Sequence, residues 1–359
     1  MNKVHGYYFF RTVGTNDDKV HFLIVFLLLD CDLETGFYDR FGKPIGHLRG
    51  KVVFITGASS GIGEHTAIAL AKNSVKLVLV ARRREELERV KRACIEASKN
   101  QLTQNDILVI PMDVTDLSLH KKNWDYAVRH FGKVDILLNN AGRSQRAVFE
   151  TIDMGVDRQM FELNTFSIVN LTRIAVNYFN TVGGGHIAVV TSIAGIVGVP
   201  YSATYNGTKH AIHGYMNALR AEKTGRGLSV SIICPGPIFT NFLSESFTNT
   251  VGQKYGKNVQ STDRRMTAER CGHLCAVALA NKIRESWVAL PPIVLFTYFA
   301  VYFPVSYNFL LKTLGPERLF KLRDTQEFTL QETHDYQTFD KRQTVTNMVT
   351  YSKKQDRQR

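Results

Sequence analysis

A tyrosine and a lysine four residues apart, Tyr205 and Lys209, are the side chains in this sequence best suited to acid–base chemistry. In a helix this spacing places the phenol and the ammonium on one face. A tyrosine in water has a pKa of about 10 and exchanges its proton poorly at neutral pH, but a nearby positive charge favours the phenolate and lowers that pKa. The pair therefore predicts a phenol that donates and accepts a proton near neutral pH. Tyr-x-x-x-Lys also occurs by chance in many helices, so its surroundings must support this interpretation.

A glycine-rich turn, T-G-A-S-S-G-I-G at residues 56–63, is the second chemical feature. It directly follows an apolar run, Val52–Thr56, and opens a helical stretch. Gly57, Gly61 and Gly63 let the backbone turn tightly and approach a pyrophosphate, which then lies at the helix N-terminus. Glycines also occur in turns that merely join a strand to a helix. The position after the first strand nevertheless predicts a dinucleotide-binding site.

The end of the second apolar run, Leu77–Val80, indicates which dinucleotide is bound. An acidic residue at this point accepts a hydrogen bond from the ribose 2′-hydroxyl of NAD, whereas arginine suits the 2′-phosphate of NADP. Here the run is followed by Ala81, Arg82 and Arg83. The missing carboxylate and the adjacent guanidinium groups favour NADP(H), with Arg82 the better placed of the two arginines. The alternative is a basic helix start with solvated arginines.

These residues must be positioned by an alternation of short apolar runs and amphipathic helices that begins at residue 51. One helical stretch, Arg84–Ser98, has Leu87, Val90, Cys94 and Ala97 on one face. The predicted strands are Val52–Thr56, Lys76–Val80, Ile107–Pro111, Val134–Asn139, His186–Thr191, Ser229–Ile233 and Ser286–Leu290. Strands that are apolar on both faces and alternate with helices form a parallel sheet covered on both sides. The fold class is therefore α/β: a single doubly wound (Rossmann) domain over residues 51–290 with a seven-stranded parallel sheet.

Residues 1–50 form a separate N-terminal segment with one short apolar stretch, Phe22–Leu29. Eight helical residues span about 12 Å, well short of the ~30 Å hydrocarbon core of a bilayer. The stretch cannot cross a membrane alone. Three interpretations stay open: a membrane anchor or membrane-associated segment, a signal-like segment, or a segment packed on the domain. Asp17 and Asp18 and the lack of a small-residue cleavage site disfavour the signal-like interpretation.

The C-terminal third contains 25 residues without a charged side chain, Trp287–Leu311. Pro291, Pro292 and Pro304 divide this stretch, and its start is predicted as the last strand, so it is unsuited to a simple span. We expect residues 291–323 to be an apolar extension that contacts a membrane or covers the substrate, and residues 324–359 to be a polar tail. Flanking lysines and arginines suit contact with anionic headgroups. The alternative is a buried hydrophobic subdomain of a soluble protein.

Composition and charge exclude several other classes. Of the 359 residues, 44% are hydrophobic and 21% charged, which excludes a disordered or low-complexity chain. The formal net charge is +13, concentrated in residues 51–100 and 251–359. No basic stripe with interleaved aromatic residues or reading motif is present, so we expect no nucleic-acid partner. Five scattered cysteines disfavour a disulfide scaffold, and neither Cys271/Cys275 nor His210/His213 has further ligands, so no metal site is expected.

Several motifs in the correct order resemble the short-chain dehydrogenase/reductase family over roughly residues 50–290. They are the Gly-x-x-x-Gly-x-Gly turn, N-N-A-G at residues 139–142, a serine after the fifth strand, Y-x-x-x-K, and P-G at residues 235–236. The resemblance implies a catalytic tetrad of Asn164, Ser192, Tyr205 and Lys209. Tyr205 would exchange the proton with the substrate oxygen, and Ser192 would hydrogen-bond that oxygen as the substrate contact. Lys209 would hold the nicotinamide ribose and tune Tyr205, and Asn164 would position a water in the proton relay.

The resemblance and the strand ends together assign the cofactor-binding residues. Asp113 and Val114 would lie against the adenine ring, although Asp113 or Thr115 is equally suited to cap the next helix. The complete set is Gly57, Ser59, Ser60, Gly61, Ile62, Gly63, Arg82, Arg83, Asp113, Val114, Asn140, Ala141, Gly142, Tyr205, Lys209, Pro235, Gly236, Ile238 and Thr240. The substrate loop is expected between residues 241 and 265, where apolar side chains such as Phe242 and Phe247 allow an apolar pocket.

Further stretches, including Ser144–Arg146 and Met266–Cys271, are similar to a branch of this family associated with the endoplasmic reticulum. This similarity implies an NADPH-preferring reductase of lipophilic ketones and aldehydes of the steroid, retinoid or xenobiotic type. A membrane location at the endoplasmic reticulum is expected, with a cytoplasmic location as the alternative. Two other functions are the alternatives: an NAD-linked alcohol oxidant, disfavoured by Ala81 and Arg82, and a catalytically silent nucleotide sensor or scaffold, disfavoured by the complete tetrad. The sequence leaves open whether the chain forms a homodimer.

Overall fold

A seven-stranded parallel sheet forms the centre of the part of the chain that the computed structural model describes, residues 29–321. The predicted apolar run at residues 22–29 lies, except for Leu29, outside the described residues, as does the predicted polar tail. The strands of the sheet and of a small two-stranded ladder are β1 Val52–Thr56, β2 Lys76–Ala81, β3 Ile107–Pro111, β4 Ile136–Asn139, β5 Gly185–Val190, β6 Leu228–Pro235, β7 Ile238–Phe239, β8 Met266–Thr267 and β9 Glu285–Val288.

The strand order of the large sheet is β3-β2-β1-β4-β5-β6-β9, which confirms the predicted fold class. The order reverses between β1 and β4, whose pairing aligns Val53 with Ile136. In such sheets ligands bind in the crevice at the carboxyl ends of the strands beside this reversal. β7 and β8 form a separate parallel pair after β6.

Helices cover both faces of the sheet because its strands are apolar on both sides. β1 is buried at every position. The helices are α1 Leu33–Phe41, α2 Gly61–Ala71, α3 Arg84–Ala97, α4 Ser118–Phe131, α5 Met154–Phe161, α6 Ser167–Thr181, α7 Ala203–Glu222, α8 Ala268–Asn281, α9 Ile293–Tyr302 and α10 Pro304–Lys321. Side chains of α2, α3 and α8 pack into one core, and those of α4, α6 and α7 into the other. The predicted apolar face of α3 is buried through Leu87, Val90 and Cys94.

The N-terminal helix α1 packs against the outer edge of the sheet. Asp32 caps it by accepting a hydrogen bond from the backbone of Thr35 at 2.8 Å. The backbone N–H of Asp32 donates to the carbonyl of Trp287 in β9 at 2.8 Å, and the Trp287 N–H donates back to the Asp32 carboxylate. An ion pair of 2.7 Å joins Asp30 to Arg270 of α8. These contacts cover the backbone edge of the last strand, which otherwise could pair with another chain.

The uncharged C-terminal stretch folds into two helices after the sheet. α9 buries Val294 and Thr297, whereas α10 is kinked at Gly315. Large apolar side chains of the α9–α10 junction are exposed, among them Phe303 (60%), Val305 (83%) and Phe309 (75%). Within residues 29–321 no helix has the length and apolar character that a transmembrane span requires.

Candidate active site

The glycine turn between β1 and α2 forms a cradle that side chains would fill. Gly57 and Gly61 have φ values of +66° and +59°, a left-handed conformation that favours glycine. A Cβ atom at Gly57 would lie 2.9 Å from the Cα of Ala141, and one at Gly61 would lie 3.0 Å from Thr240. The open backbone and the start of α2 are suited to bind a pyrophosphate. The residues present therefore fit a dinucleotide.

Asn140 holds this turn against the end of β4. Its amide nitrogen donates to the carbonyl oxygens of Thr56 at 3.0 Å and Gly57 at 3.1 Å. The Thr56 hydroxyl in turn accepts from the backbone N–H groups of Asn140 and Ala141 at 3.0 and 3.1 Å. Gly63 lies beneath the turn, where a Cβ would press on the Gly57 carbonyl and the Asn140 amide. Gly63 thus supports the cradle from below and does not line the cleft.

The ends of β2 and β3 lie side by side at the far end of the cleft. Ala81 is buried, and Arg82 and Arg83 after it are exposed. The Asp113 carboxylate accepts from the backbone and hydroxyl of Thr115 at 2.9 and 2.7 Å. Burial opposes ionisation of Asp113, but these hydrogen bonds and the charge of Arg82 outweigh it and hold its pKa below the usual range. Helix α4 begins only at Ser118, so neither Asp113 nor Thr115 caps it, and that alternative was wrong.

Tyr205 and Lys209 are both buried on the first turns of α7. The Lys209 ammonium donates to the carbonyl of Val190 at the end of β5 at 3.1 Å and lies 5.6 Å from the centre of the Tyr205 ring. Burial lowers the pKa of Lys209 to about 8. The i, i+4 spacing thus brings the phenol ring and the cation together, as expected from the sequence. A positive charge at this distance favours a phenolate.

Ser192 follows β5 and faces the same cleft. Its hydroxyl donates to the carbonyl of Pro235 at 3.2 Å and accepts from the backbone of Ala194 at 3.1 Å. The first bond ties the end of β5 to the end of β6, and the second fixes the turn after Ser192. The ring of Phe242, from the expected substrate loop, lies edge-on to Tyr205 with the ring centres 6.2 Å apart.

Asn164 is fully buried behind the cleft in a five-residue π-helical segment, Glu162–Phe166, between α5 and α6. Its amide oxygen accepts from the Arg143 N–H at 2.9 Å, and its amide nitrogen donates to the Arg143 carbonyl at 2.8 Å. The same nitrogen donates to the Thr208 hydroxyl on α7 at 3.2 Å. Asn164 therefore joins the N-N-A-G loop to the helix that bears Tyr205. π-Segments of this kind occur frequently at functional sites.

One cleft of about 1380 Å³ contains almost all the predicted site residues. Gly63 and Asn164 lie behind its wall. The predicted residues that line it are Gly57, Ser59, Ser60, Gly61, Ile62, Arg82, Arg83, Asp113, Val114, Asn140, Ala141, Gly142, Ser192, Tyr205, Lys209, Pro235, Gly236, Ile238 and Thr240. The cleft therefore runs from the arginines after β2, past the glycine turn, to the tyrosine on α7.

A family model described as short chain dehydrogenase matches residues 51–250, more than half of the chain. The chain belongs to the short-chain dehydrogenase family. Members of this family are oxidoreductases, so the fold and cleft belong to an enzyme with a nicotinamide cofactor and a small-molecule substrate.

Two mammalian relatives agree with this family, and a solved structure agrees with the fold. The chain is 40% identical over 299 residues to human "Dehydrogenase/reductase SDR family member 7", covering 83% of this chain and 87% of the relative. It is 38% identical over 300 residues to the mouse protein of the same name, covering 83% and 88%. The structure of an alcohol dehydrogenase from the archaeon Thermococcus sibiricus, complexed with 5-hydroxy-NADP, superposes with a TM-score of 0.58 at 22% identity. That match covers 67% of this chain and 97% of the archaeal one, and it supports the fold.

Sequence reasoning named no individual residue for one part of the wall of this short-chain dehydrogenase cleft. The two C-terminal helices line it with Phe296, Thr297, Tyr307, Leu310 and Leu311. The sequence predicted that residues 291–323 contact a membrane or cover the substrate, but it did not indicate which of these side chains face the cleft.

Arg143, directly after N-N-A-G, is a cleft residue that sequence reasoning missed. It pairs with Glu245 of the expected substrate loop at 3.0 Å. Its position directly after the N-N-A-G motif is the sequence feature that could have indicated a place in the cleft. This ion pair joins the N-N-A-G loop to the substrate loop at the mouth of the cleft.

The histidines and cysteines that were considered as metal ligands have other neighbours. His213 shares a hydrogen bond of 3.0 Å with the Thr191 hydroxyl, and His210 is exposed and bonds to the carbonyl of Asn206. Cys271 and Cys275 are buried in α8. Among residues 29–321, no group of three or more histidine, cysteine or acidic side chains is arranged to hold a metal ion.

Proposed function

We propose that this enzyme interconverts a lipophilic ketone or aldehyde and the corresponding alcohol, with NADP(H) as its cofactor and Tyr205 as the acid/base. The observation that carries the proposal is the meeting of Tyr205, Lys209 and Ser192 in a cleft that is also lined by apolar side chains of the substrate loop and the C-terminal helices. Steroid, retinoid and xenobiotic carbonyl compounds are the substrate types that we favour within this class.

The choice of NADP(H) rests on the end of β2. Ala81 offers no carboxylate to a ribose 2′-hydroxyl, and Arg82 lines the cleft at that point. The charge of Arg82 also helps to keep the Asp113 carboxylate ionised. A guanidinium group forks onto a phosphate, whereas it offers no comparable interaction to a hydroxyl. The glycine cradle would hold the pyrophosphate, and Lys209 and Asn140 would hold the nicotinamide half.

The chemistry of the chain's own residues follows from their positions. In reduction, Tyr205 would give its proton to the substrate oxygen while the Ser192 hydroxyl donates a hydrogen bond to the same atom. Lys209 would stabilise the phenolate that remains, since its ammonium lies 5.6 Å from the Tyr205 ring. Asn164 would keep α7 in register with the N-N-A-G loop through Thr208. The bound nicotinamide supplies the hydride, or accepts it in the reverse direction.

The substrate class rests on a group of apolar side chains that line the cleft. Phe242, Phe296, Leu310 and Leu311 come from the substrate loop and the C-terminal helices. Removal of apolar surface from water contributes roughly 25 cal/mol per Å², so this wall favours an apolar substrate body. Ser192 and Tyr205 would supply the few polar contacts that orient the reacting oxygen.

The proposed location is the membrane of the endoplasmic reticulum, with residues 291–323 in contact with the bilayer surface. The proposal is supported by the exposed apolar side chains around Phe303, Val305 and Phe309, which adjoin the basic Lys312. A substrate dissolved in lipid would then reach the cleft past α10. Substituting both Phe303 and Phe309 with serine should release the protein from microsomal membranes at high salt. Turnover of a water-soluble substrate should remain intact. Unchanged membrane retention would contradict this part of the proposal.

The catalytic assignment is tested by Tyr205→Phe. NADPH oxidation with a panel of lipophilic ketones should be abolished, whereas NADPH binding, followed by its fluorescence, should remain. Tyr215→Phe is the matched control, because Tyr215 lies on the same helix, is 42% exposed and does not line the cleft. Turnover by Tyr205→Phe equal to that of the parent would refute the acid/base role.

The cofactor assignment is tested by Arg82→Glu. We expect kcat/KM with NADPH to fall about a hundredfold and that with NADH to change little, because only NADPH loses a charge-assisted pair. Arg84→Glu is the control, since Arg84 starts α3 outside the cleft. A parent enzyme that prefers NADH more than tenfold would overturn the NADP(H) proposal.

A further inference from the structure

A second cavity, of about 650 Å³, lies at the opposite end of the sheet from the active-site cleft. It is formed where β1, β4, β5 and β6 begin, beneath the C-terminal end of α8. Its wall includes residues 132–136, the glycines Gly183–Gly185 and Gly227, the Asn281–Lys282 end of α8 and, before β1, Lys43, His47, Leu48 and Lys51. Its volume lies within the range of small-molecule sites. The proposed oxidoreductase function makes no use of it.

The charge around this cavity is strongly positive. Four lysines line it, namely Lys43, Lys51, Lys133 and Lys282, against a single carboxylate, Asp135. Asp135 is already bonded to Lys51 at 2.9 Å and Lys133 at 3.2 Å, and it accepts from the backbone of Val52 at 2.9 Å. Lys43 and Lys282 form no ion pair with any residue between 29 and 321. The positive charge at this end of the sheet is therefore not neutralised by the surrounding described residues.

A buried histidine points to a ligand in the same place. His186, the second residue of β5, lines the cavity and is only 3% exposed. Its Nε2 shares a hydrogen bond of 2.8 Å with the Ser231 hydroxyl, but its Nδ1 is buried with no partner in the described structure. Burial and the nearby Lys282 charge lower the pKa of His186 to about 3, so the ring is neutral. A buried polar atom without a partner costs about 1–3 kcal/mol, which a bound group at Nδ1 would relieve.

We propose that this cavity is a second binding site, for a small soluble molecule that carries a phosphate or pyrophosphate group. Lys43 and Lys282 supply the charge, and His186 would supply a buried donor at Nδ1, which carries the proton of the neutral ring when the Ser231 hydroxyl donates to Nε2. Gly183 leaves room for the ligand, because a Cβ there would meet nothing within 4 Å, whereas Gly184, Gly185 and Gly227 pack closely against other protein atoms. A doubly or triply charged phosphate suits this excess of lysines better than a singly charged carboxylate.

The experiment measures the thermal midpoint of the full-length protein with saturating NADPH, so that the active-site cleft is already occupied. Pyrophosphate is titrated against sodium chloride of equal ionic strength, because a ligand that binds the folded state raises the midpoint. We expect a saturable rise with pyrophosphate only. Equal midpoints in the two salts would overturn the proposal.

Two variants locate the site. Lys282→Glu should weaken the apparent affinity for pyrophosphate about tenfold or more, as expected for the loss and reversal of a charge-assisted contact. Lys99→Glu is the matched control, because Lys99 is an exposed lysine with nearly the same left-handed backbone (φ +53° against +54°) after a helix. His186→Phe should also weaken binding, since it removes the donor and retains an apolar ring. A midpoint rise that survives Lys282→Glu would refute the assignment.

Phosphate groups also occur in lipid headgroups. A third measurement therefore distinguishes a soluble phosphate compound from a phospholipid. Co-sedimentation with vesicles containing phosphatidic acid should be unaffected by Lys282→Glu if the ligand is soluble. Vesicle binding that depends on Lys282, without a pyrophosphate effect on the midpoint, would overturn the proposed soluble ligand.

Discussion

Lys209→Met should change how the stability of the protein depends on pH. Burial lowers the pKa of Lys209 from 10.5 to about 8, so the unfolded chain binds more protons than the folded one between these values. Each pKa unit corresponds to about 1.4 kcal/mol, so holding the ammonium in the core lowers the free energy of unfolding at pH 7 by about 3 kcal/mol. The folded state regains this stability as the pH rises from 8 towards 10.5. Methionine carries no charge and shows no such gain.

Between pH 7 and 9.5 the parent should gain about 2 kcal/mol in its free energy of unfolding relative to Lys209→Met, from the same linkage. Methionine also leaves the Val190 carbonyl without its 3.1 Å hydrogen bond, a loss that does not depend on pH. The absolute difference at pH 7 is therefore small, and its change with pH is the diagnostic quantity.

Urea unfolding of the apoprotein, followed by tryptophan fluorescence at several pH values, measures this change. Lys122→Met, at an exposed position on α4, is the control and should give a constant difference from the parent. A constant difference for Lys209→Met as well would refute the reasoning, because Lys209 would then titrate alike in the folded and unfolded chain. It would also remove the physical basis for a buried cation beside Tyr205.

Three further predictions concern other parts of the structure. Gly57→Ala should cost about 2 kcal/mol of unfolding free energy through its positive φ, and weaken NADPH binding in a fluorescence titration because the new Cβ lies 2.9 Å from Ala141. Asp32→Ala should cost about 2 kcal/mol in urea unfolding, since it removes a helix cap and leaves the Trp287 N–H unpaired. Phe296→Ala should raise KM for lipophilic ketones severalfold with little change in kcat, because Phe296 lines the cleft wall; an unchanged KM would contradict the substrate proposal.

The parallel sheet could be predicted because the apolar composition of its strands indicates by itself that they are buried on both faces. β1, for example, is apolar at four of its five positions and is buried throughout. The prediction was less accurate at element ends: β4 begins at Ile136 instead of Val134, and β9 covers Glu285–Val288 instead of Ser286–Leu290. Strand ends depend on which backbone groups find partners in neighbouring strands, and that is decided by non-local contacts.

The sequence by itself determined two local features of this protein. One is a tight turn that requires glycine because a Cβ would not fit, and the other is a tyrosine and a lysine on one helical face. Both depend on backbone geometry over a few residues. Only the tertiary structure decided that Lys209 is buried against β5, that Asn164 joins the N-N-A-G loop to α7 through Thr208, and that α9 and α10 line the cleft. It also placed unpaired lysines around a buried histidine at the far end of the sheet. These arrangements join residues far apart in the chain, so they follow from packing of the whole fold and leave no periodic pattern in the sequence.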